Sequence, residues 1–321
     1  MNRQRALLII NPISGTSSKE GIIDITRRKL EATGIEVDAA VTSGPADATR
    51  LASEAEAGGY DIVLAAGGDG TVNEIAAALC GSQVTMGILP CGSGNGLARH
   101  LDIPVDVSEA LDVVIAGHRV EADSASVNGR PFFCTFGVGF DAAVSETFAK
   151  QRRRGKLTYI RSTLSTYAKY HPQIYTISAN GHLLTEKAFL VAVCNASQYG
   201  NNAYIAPEAS ITDGLLDITI VHSGPLPSMA LMGIDMMTGY INRNTLIHTF
   251  KAPAVNIYRR ASGPAHLDGE PVSIDDTMEI KCHPGALRVF TPGEQHFRPL
   301  ITPVHSLMQD LRLAVHHLLH R

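Results

Sequence analysis

Ala65–Glu74 reads AAGGDGTVNE, three glycines around one aspartate and then a threonine, directly after the apolar run DIVL. A turn alone needs one or two glycines. Extra glycines let a backbone approach a ligand closely and expose its N–H groups, and a helix start just beyond them favours negative charge. A second such loop, Leu89–Gly96 (LPCGSGNG), follows the next apolar run and also opens a helix, and Asn11-Pro12-Ile13-Ser14-Gly15 follows the first run of the chain. Glycine loops at neighbouring strand ends point to nucleotide phosphates. The pattern is neither a Walker A loop nor a dinucleotide fingerprint, since it has no GKS or GKT and no GxGxxG. Asp69 stands among amides that would hold phosphate, and a carboxylate there repels phosphate unless a cation intervenes. Magnesium bridging phosphate oxygens and the carboxylate is the expected solution. Thr71 and Asn73 are placed to cap the helix or donate to a phosphate.

The surrounding elements must position these loops. RALLII, IEVDAAVT, DIVLAA and TMGILP have the short apolar runs of buried strands. Helical spacing occupies Gly21 to Ala32, DATRLASEAEA, VNEIAAALC, GLARHL and VSEALDVVIAG between and after them. Alternating strands and helices argue a parallel sheet covered on both faces. Ligands of such sheets sit beyond the carboxyl ends of the strands, where the glycine loops fall. After about His118 the pattern becomes strands joined by turns such as Asn128-Gly129 and Asn180-Gly181, which are hairpin signals. The expectation is an antiparallel sandwich or barrel, with helical inserts at Leu157–Tyr170 and Pro227–Tyr240. Residues 1–120 are assigned to a nucleotide-binding α/β domain and 121–302 to a β-rich substrate domain. An amphipathic helix over 303–321 is expected to pack back on the first.

With 321 residues, 45% hydrophobic and 18% charged, the chain suits a globular protein of two domains. A formal net charge of −4 gives no global sign of nucleic-acid binding. Five scattered cysteines without CxxC spacing read as reduced thiols, hence a cytoplasmic protein. No run approaches the roughly 18 apolar residues of a membrane helix, so membrane contact is expected to be peripheral.

INPISG, GGDGTVNE, LPCGSGNGLA, TDGLLD and LDGE, in that order, resemble the motifs of the diacylglycerol kinase and sphingosine kinase group of lipid kinases. They span about Asn11 to Glu270. GGDGT alone also looks like the loop of NAD kinases and phosphofructokinases. Followed by GSGN at the next strand and a late DGE, it is much more specific. The resemblance implies a parallel-sheet α/β domain of NAD kinase and phosphofructokinase type, a C-terminal β-sandwich, and ATP in the cleft between them. Asn11, Thr42, Gly68, Asp69, Gly70, Thr71, Val72, Asn73, Glu74 and Ser93 fall at ATP-contact positions. Asp69 matches the motif's aspartate, acting through Mg2+, and Glu270 matches the proton acceptor. Asp213, with the carbonyls of Ser210 and Leu215, matches a second Mg2+ site of bacterial members. Two departures stand out: Cys91 replaces another small or apolar residue, and Gly96 replaces an acidic one. PCGSGN looks more like the sphingosine kinase version of the loop.

Chemistry supports Glu270 independently, because a lipid hydroxyl is a poor nucleophile until a positioned carboxylate takes its proton. Asp268 is the neighbouring alternative, to orient Glu270 or contact metal. The expected activity is transfer of the ATP γ-phosphate to a lipid hydroxyl at a membrane surface. Diacylglycerol leads, a sphingoid base follows, and a soluble-substrate kinase of NAD kinase type or a non-catalytic binding module is the rival. A homodimer is left open. The basic run Gln151-Arg152-Arg153-Arg154-Gly155-Lys156 and the terminal helix are candidate membrane contacts. Met229, Met232, Met236 and Met237, at helical spacing, are read as core or as an acyl-chain cleft.

Overall fold

A computed structural model describes residues 4–13, 19–149, 166–167 and 169–293 of the chain. The basic run 151–156 and the terminal helix 303–321 lie outside the described residues, as does most of the insert 157–170.

Four strands, β1 (Arg5–Ile10), β2 (Glu36–Val41), β3 (Ile62–Gly67) and β4 (Thr85–Pro90), lie parallel in the order β2-β1-β3-β4. Every residue of β3 and β4 is buried, as unbroken apolar strands covered on both faces should be. Helix α1 (Lys19–Glu31) packs with α5 (Val107–Ala116), and α2 (Asp47–Ser53) with α3 (Asp69–Leu79). Helix α5 starts at Asp106, whose Oδ1 accepts from Ser108 N and Glu109 N, and stops at the left-handed Gly117. The short α4 (Gly96–His100) leaves the second glycine loop.

The second half is built from hairpins. β5 (Arg119–Val127) turns through Asn128-Gly129 into β6 (Arg130–Phe132), and β8 (Gln173–Ala179) turns through Asn180-Gly181 into β9 (His182–Ala188). All four turn residues have positive φ, which is what those Asn-Gly pairs supply. β7 (Thr135–Gly139), β10 (Leu190–Cys194), β11 (Leu216–Val221), β12 (Ile247–Ala252), β14 (Gly263–Leu267) and β15 (Glu270–Ile274) form a six-stranded antiparallel sheet in the order β12-β11-β10-β7-β14-β15. Its inner face packs on β5, β8, β13 (Ala254–Arg259) and β16 (Thr277–Phe290) around Phe136, Val191, Ile218, Ile257 and Ile280. Alternation along β10 sends Val191 and Val193 into that core. Leu190, Ala192 and Cys194 go outward, under α7 (Leu226–Thr238). The sequence thus anticipated the architecture, a parallel α/β domain followed by an antiparallel β-sandwich.

Three features differ from, or add to, the sequence reading. Helix α6 (Phe140–Ala149) follows β7 where no helix was expected. Helix α3 begins at Asp69, so the apparent loop residues Asp69, Gly70 and Thr71 form its first turn. The first sheet does not stop at the domain boundary: the end of β16 pairs in parallel with β4, Val289 opposite Met86, making a ten-stranded sheet that runs through both halves. Among the described residues no helix is long and apolar enough to cross a membrane.

Candidate functional site

The strand order places the loops side by side. Thr42 follows β2, Asn11 follows β1, Gly68 follows β3 and Ser93 lies just beyond β4, so residues far apart in sequence share one end of the sheet. Asn11 Nδ2 donates to Thr71 Oγ1 at 2.9 Å, joining the first loop to α3. Gly68 precedes α3 in extended conformation and offers no side-chain cap. The first N–H groups of α3 therefore have no acceptor within the helix, and the positive end of the helix dipole adds to them. Such a helix start has the chemistry to cradle a phosphate.

Asp69 fastens the cradle together. Its Oδ2 accepts from Asn95 N at 2.9 Å and its Oδ1 from Gly96 N at 2.6 Å, so the start of α3 is tied to the start of α4. The loops touch so closely that a Cβ on Gly94 would lie 2.7 Å from Asp69 Oδ2. Asn95, in left-handed conformation, folds its loop by bonding Gly92 through both ends of its amide. Each Asp69 oxygen accepts one N–H and keeps a lone pair. That fits a cation held mainly by phosphate and water, with the carboxylate reached through water. Among the described residues no three His, Cys, Asp or Glu side chains converge as a metal cluster.

The opposite wall comes from the β14–β15 hairpin. Its two-residue turn is Asp268-Gly269, both at positive φ, and Glu270 is the first residue after it. Glu270 is exposed, and its Oε1 lies 3.0 Å from where a Cβ on Gly70 would stand. The carboxylate of one half thus reaches the N-terminus of α3 in the other. Asp268 does not face outward. Its Oδ1 accepts from Cys134 N and Thr135 N, both at 2.7 Å, and its Oδ2 from Phe133 N and Asn73 Nδ2, both at 2.8 Å. Burial pushes the Asp268 carboxyl up to about 6 against the pull of those backbone donors, so it is ionised at neutral pH. Of the two roles the sequence left open for Asp268, the geometry favours orienting Glu270. Asn73, expected at the nucleotide, gives one of its two amide N–H groups to this bond.

Ser210, Asp213 and Leu215 come together on the loop before β11. The Asp213 carboxylate is already engaged there, with Lys251 Nζ at 2.9 Å and Leu215 N at 3.0 Å. Lys251 also pairs with Asp217 at 3.2 Å, where burial pushes that carboxyl up to about 6. Lys251 holds Oδ2 and Leu215 N holds Oδ1, so a divalent cation at these residues would share the carboxylate with a resident ammonium. A cavity of about 730 Å3 opens instead beyond the C-terminal end of α4, and of the sequence-expected residues only Ser210 lines it.

Sequence reasoning did not single out Asn95, Asp141, Tyr199 or His266. Asp141 lies in the unanticipated α6, and Tyr199 sits on the loop that seats against Gly94 through Asn201 N to Gly94 O at 3.3 Å. The only local signal was the histidine immediately before LDGE.

Residues 5–127 match the diacylglycerol kinase catalytic domain, and residues 134–291 match the YegS C-terminal NAD kinase beta sandwich-like domain. A diacylglycerol kinase of Bacillus subtilis (strain 168) is 30% identical over 273 residues, 83% of this chain and 90% of its own. A protein of Pseudomonas syringae pv. tomato named "Probable lipid kinase YegS-like" is 29% identical, over 91% of this chain and 95% of its own. The crystal structure of a diacylglycerol kinase from Bacillus anthracis str. Sterne superposes with a TM-score of 0.75 at 26% identity, covering 90% of this chain and 97% of that one.

Proposed function

The chain belongs to the diacylglycerol kinase family of lipid kinases, and from that premise we propose that it transfers the γ-phosphate of ATP to the hydroxyl of diacylglycerol, giving phosphatidic acid and ADP. The observation that carries the reading is Glu270 reaching the N-terminus of α3, 3.0 Å from the Cβ position of Gly70. The cradle amides hold the phosphates and Glu270 accepts the hydroxyl proton. The freed oxygen attacks the γ-phosphorus while the bond to the β-phosphate oxygen breaks. A magnesium ion on the phosphates would offset their charge, with Asp69 behind the amides rather than in direct contact.

A membrane setting is supported by α7. Leu226, Leu231, Ile234 and Met237 are exposed on it, and its one charged residue, Asp235, is buried and bonded to Asn244 Nδ2. Met229 and Met232 on its inner side are buried against Phe189 and Leu190, as core residues. A peripheral enzyme taking its lipid from the cytoplasmic membrane surface suits this outer face.

The sphingosine-kinase-like loop around Cys91 keeps a sphingoid base as the second reading. The test is transfer of labelled γ-phosphate in mixed micelles holding diacylglycerol, sphingosine or dihydrosphingosine, with NAD as the soluble control. Diacylglycerol phosphorylation reduced at least about a hundredfold by Glu270→Ala is the expected result. Near wild-type turnover by that variant would end the base assignment. Turnover of NAD alone would end the lipid reading.

A further inference from the structure

We propose that His266, held by Asp141 and Tyr199, is a positioning residue that keeps the Glu270 turn in register with the phosphate cradle. This rests on Glu270 being the proton acceptor. His266 is 1% exposed and sits directly opposite Gly137 in the β14–β7 pair. Its Nε2 lies 3.0 Å from Asp141 Oδ2, and the same oxygen accepts from Tyr199 Oη at 2.9 Å. On the other side of the ring, Gly269 N–H points at Nδ1 over 3.4 Å. An N–H aimed at Nδ1 makes that nitrogen the acceptor, so the ring proton is on Nε2 and is donated to Asp141.

The ring therefore joins α6 to the backbone of the residue before Glu270. Space reserves the arrangement for these groups: a Cβ on Gly137 would collide with both Asp141 Oδ2 and His266 Nε2. Tyr199 extends the chain to the other half of the site. Its ring packs edge-on to His266 at 5.6 Å between centroids, and its carbonyl lies 3.6 Å from the Cβ position of Gly96. Asp141 is the node at which the base turn and the glycine loop are tied to one carboxylate. His266 itself does not reach the substrate, because it faces α6 while Glu270 pairs with Leu267 on the other face of the hairpin.

A misplaced base slows the chemical step while leaving nucleotide binding intact. His266→Leu is expected to lower kcat on the phosphorylated lipid about tenfold or more, with KM for ATP within about twofold of wild type. His266→Gln keeps an N–H for Asp141 and should recover part of the loss. Tyr199→Phe, which removes one donor and little bulk, should cost a few-fold in kcat, and it carries the test should His266→Leu fail to fold. The decisive comparison is made in the Glu270→Ala background, reading residual turnover with labelled ATP. There His266→Leu should add less than about a twofold loss, since the base it positions is gone. Equal losses in both backgrounds would make His266 merely structural and overturn the assignment, as would wild-type kcat in both His266→Leu and Tyr199→Phe. A wild-type protein inactive on every lipid would instead overturn the functional reading on which this one stands.

Discussion

Replacing Asn73 by alanine separates two roles for one side chain. At the nucleotide, its loss would raise KM for ATP. At the seam between the halves, its Nδ2 donates to Asp268 Oδ2 at 2.8 Å, and its loss would unsettle the turn that carries Glu270. A hydrogen bond to a charged group contributes about 1.5–3 kcal/mol. Asp268 keeps its three backbone donors, so no buried oxygen is orphaned. Alanine also improves helix propensity within α3 by up to about 0.7 kcal/mol. The net loss of stability is then about 1–2 kcal/mol, too little to unfold a domain. The same bond favours the ionised form of Asp268, whose carboxyl is raised by burial to about 6 from an ordinary 3.8. Removing that preference lifts the midpoint further. In the variant Oδ2 keeps only Phe133 N, and a proton taken up there weakens that remaining bond, so the turn loosens at a higher pH in the variant than in the wild type. The expected result is a several-fold lower kcat at pH 7 that recovers toward alkaline pH, with KM for ATP nearly unchanged. In NMR titrations the Phe133, Cys134 and Thr135 amides should move together, with a midpoint near 6 in the wild type and higher in the variant. A tenfold rise in KM for ATP, with kcat and those midpoints unchanged, would refute the reasoning.

Gly70→Ala tests the position of Glu270 from the other side. The new methyl would stand 3.0 Å from Oε1, close enough to displace the end of a flexible side chain but no backbone. Helix propensity improves by up to about 1 kcal/mol, so melting temperature should hold or rise while kcat falls about tenfold. A stable, fully active variant would mean that Glu270 does not work from this position. His100 governs part of the acid sensitivity. Burial depresses its imidazole to about 4 from an ordinary 6.5, so between those values the unfolded chain takes up a proton that the native protein refuses. Stability contributed by this group is complete above pH 6.5 and is lost as pH falls toward 4. At pH 5 the loss is about 2 kcal/mol, from 1.5 pH units at ~1.36 kcal/mol each. His100→Asn, whose Oδ1 can accept from Ser197 N as Nδ1 does at 3.1 Å, should lose that part of the slope in urea titrations. Identical pH dependence in variant and wild type would count against it.

The legible part of this site is the part made of backbone. Glycines at strand ends before helix starts are a local pattern, so AAGGDGTVNE and LPCGSGNG announce the two loops that open α3 and α4. What Asp69 bonds to is not local. Its partners, Asn95 N and Gly96 N, come within reach only because β3 and β4 are neighbours, and a metal was the natural expectation for a carboxylate seen alone. The start of α3 was hidden for a related reason: Asp and Gly are poor helix formers, and tertiary contact overrides their propensity. Glu270 was legible through LDGE, but Asp268 beside it could not be assigned without its four donors. His266 and Asp141, 125 residues apart, carry no shared pattern at all.

The seam between β4 and β16 explains how Glu270, some two hundred residues from Asp69 in the chain, comes to face the glycine loops. β16 leaves the sandwich paired with β13 and β5, shifts register between His283 and Leu287, and ends beside β4. A bulge of that kind bends a strand and increases its twist, which lets one strand serve two sheet directions. Gly81 N donates to Ala286 O at 2.8 Å next to the shift, fastening the turn after α3 to the same strand. Opening the cleft by a hinge would break ladder bonds and the Asn73–Asp268 bond together. The glycine loops and Glu270 are therefore joined through one continuous sheet. Substitutions at the seam should then act on kcat, while substitutions at Asn11 or Thr42, on the far side of the cradle, should act on ATP binding.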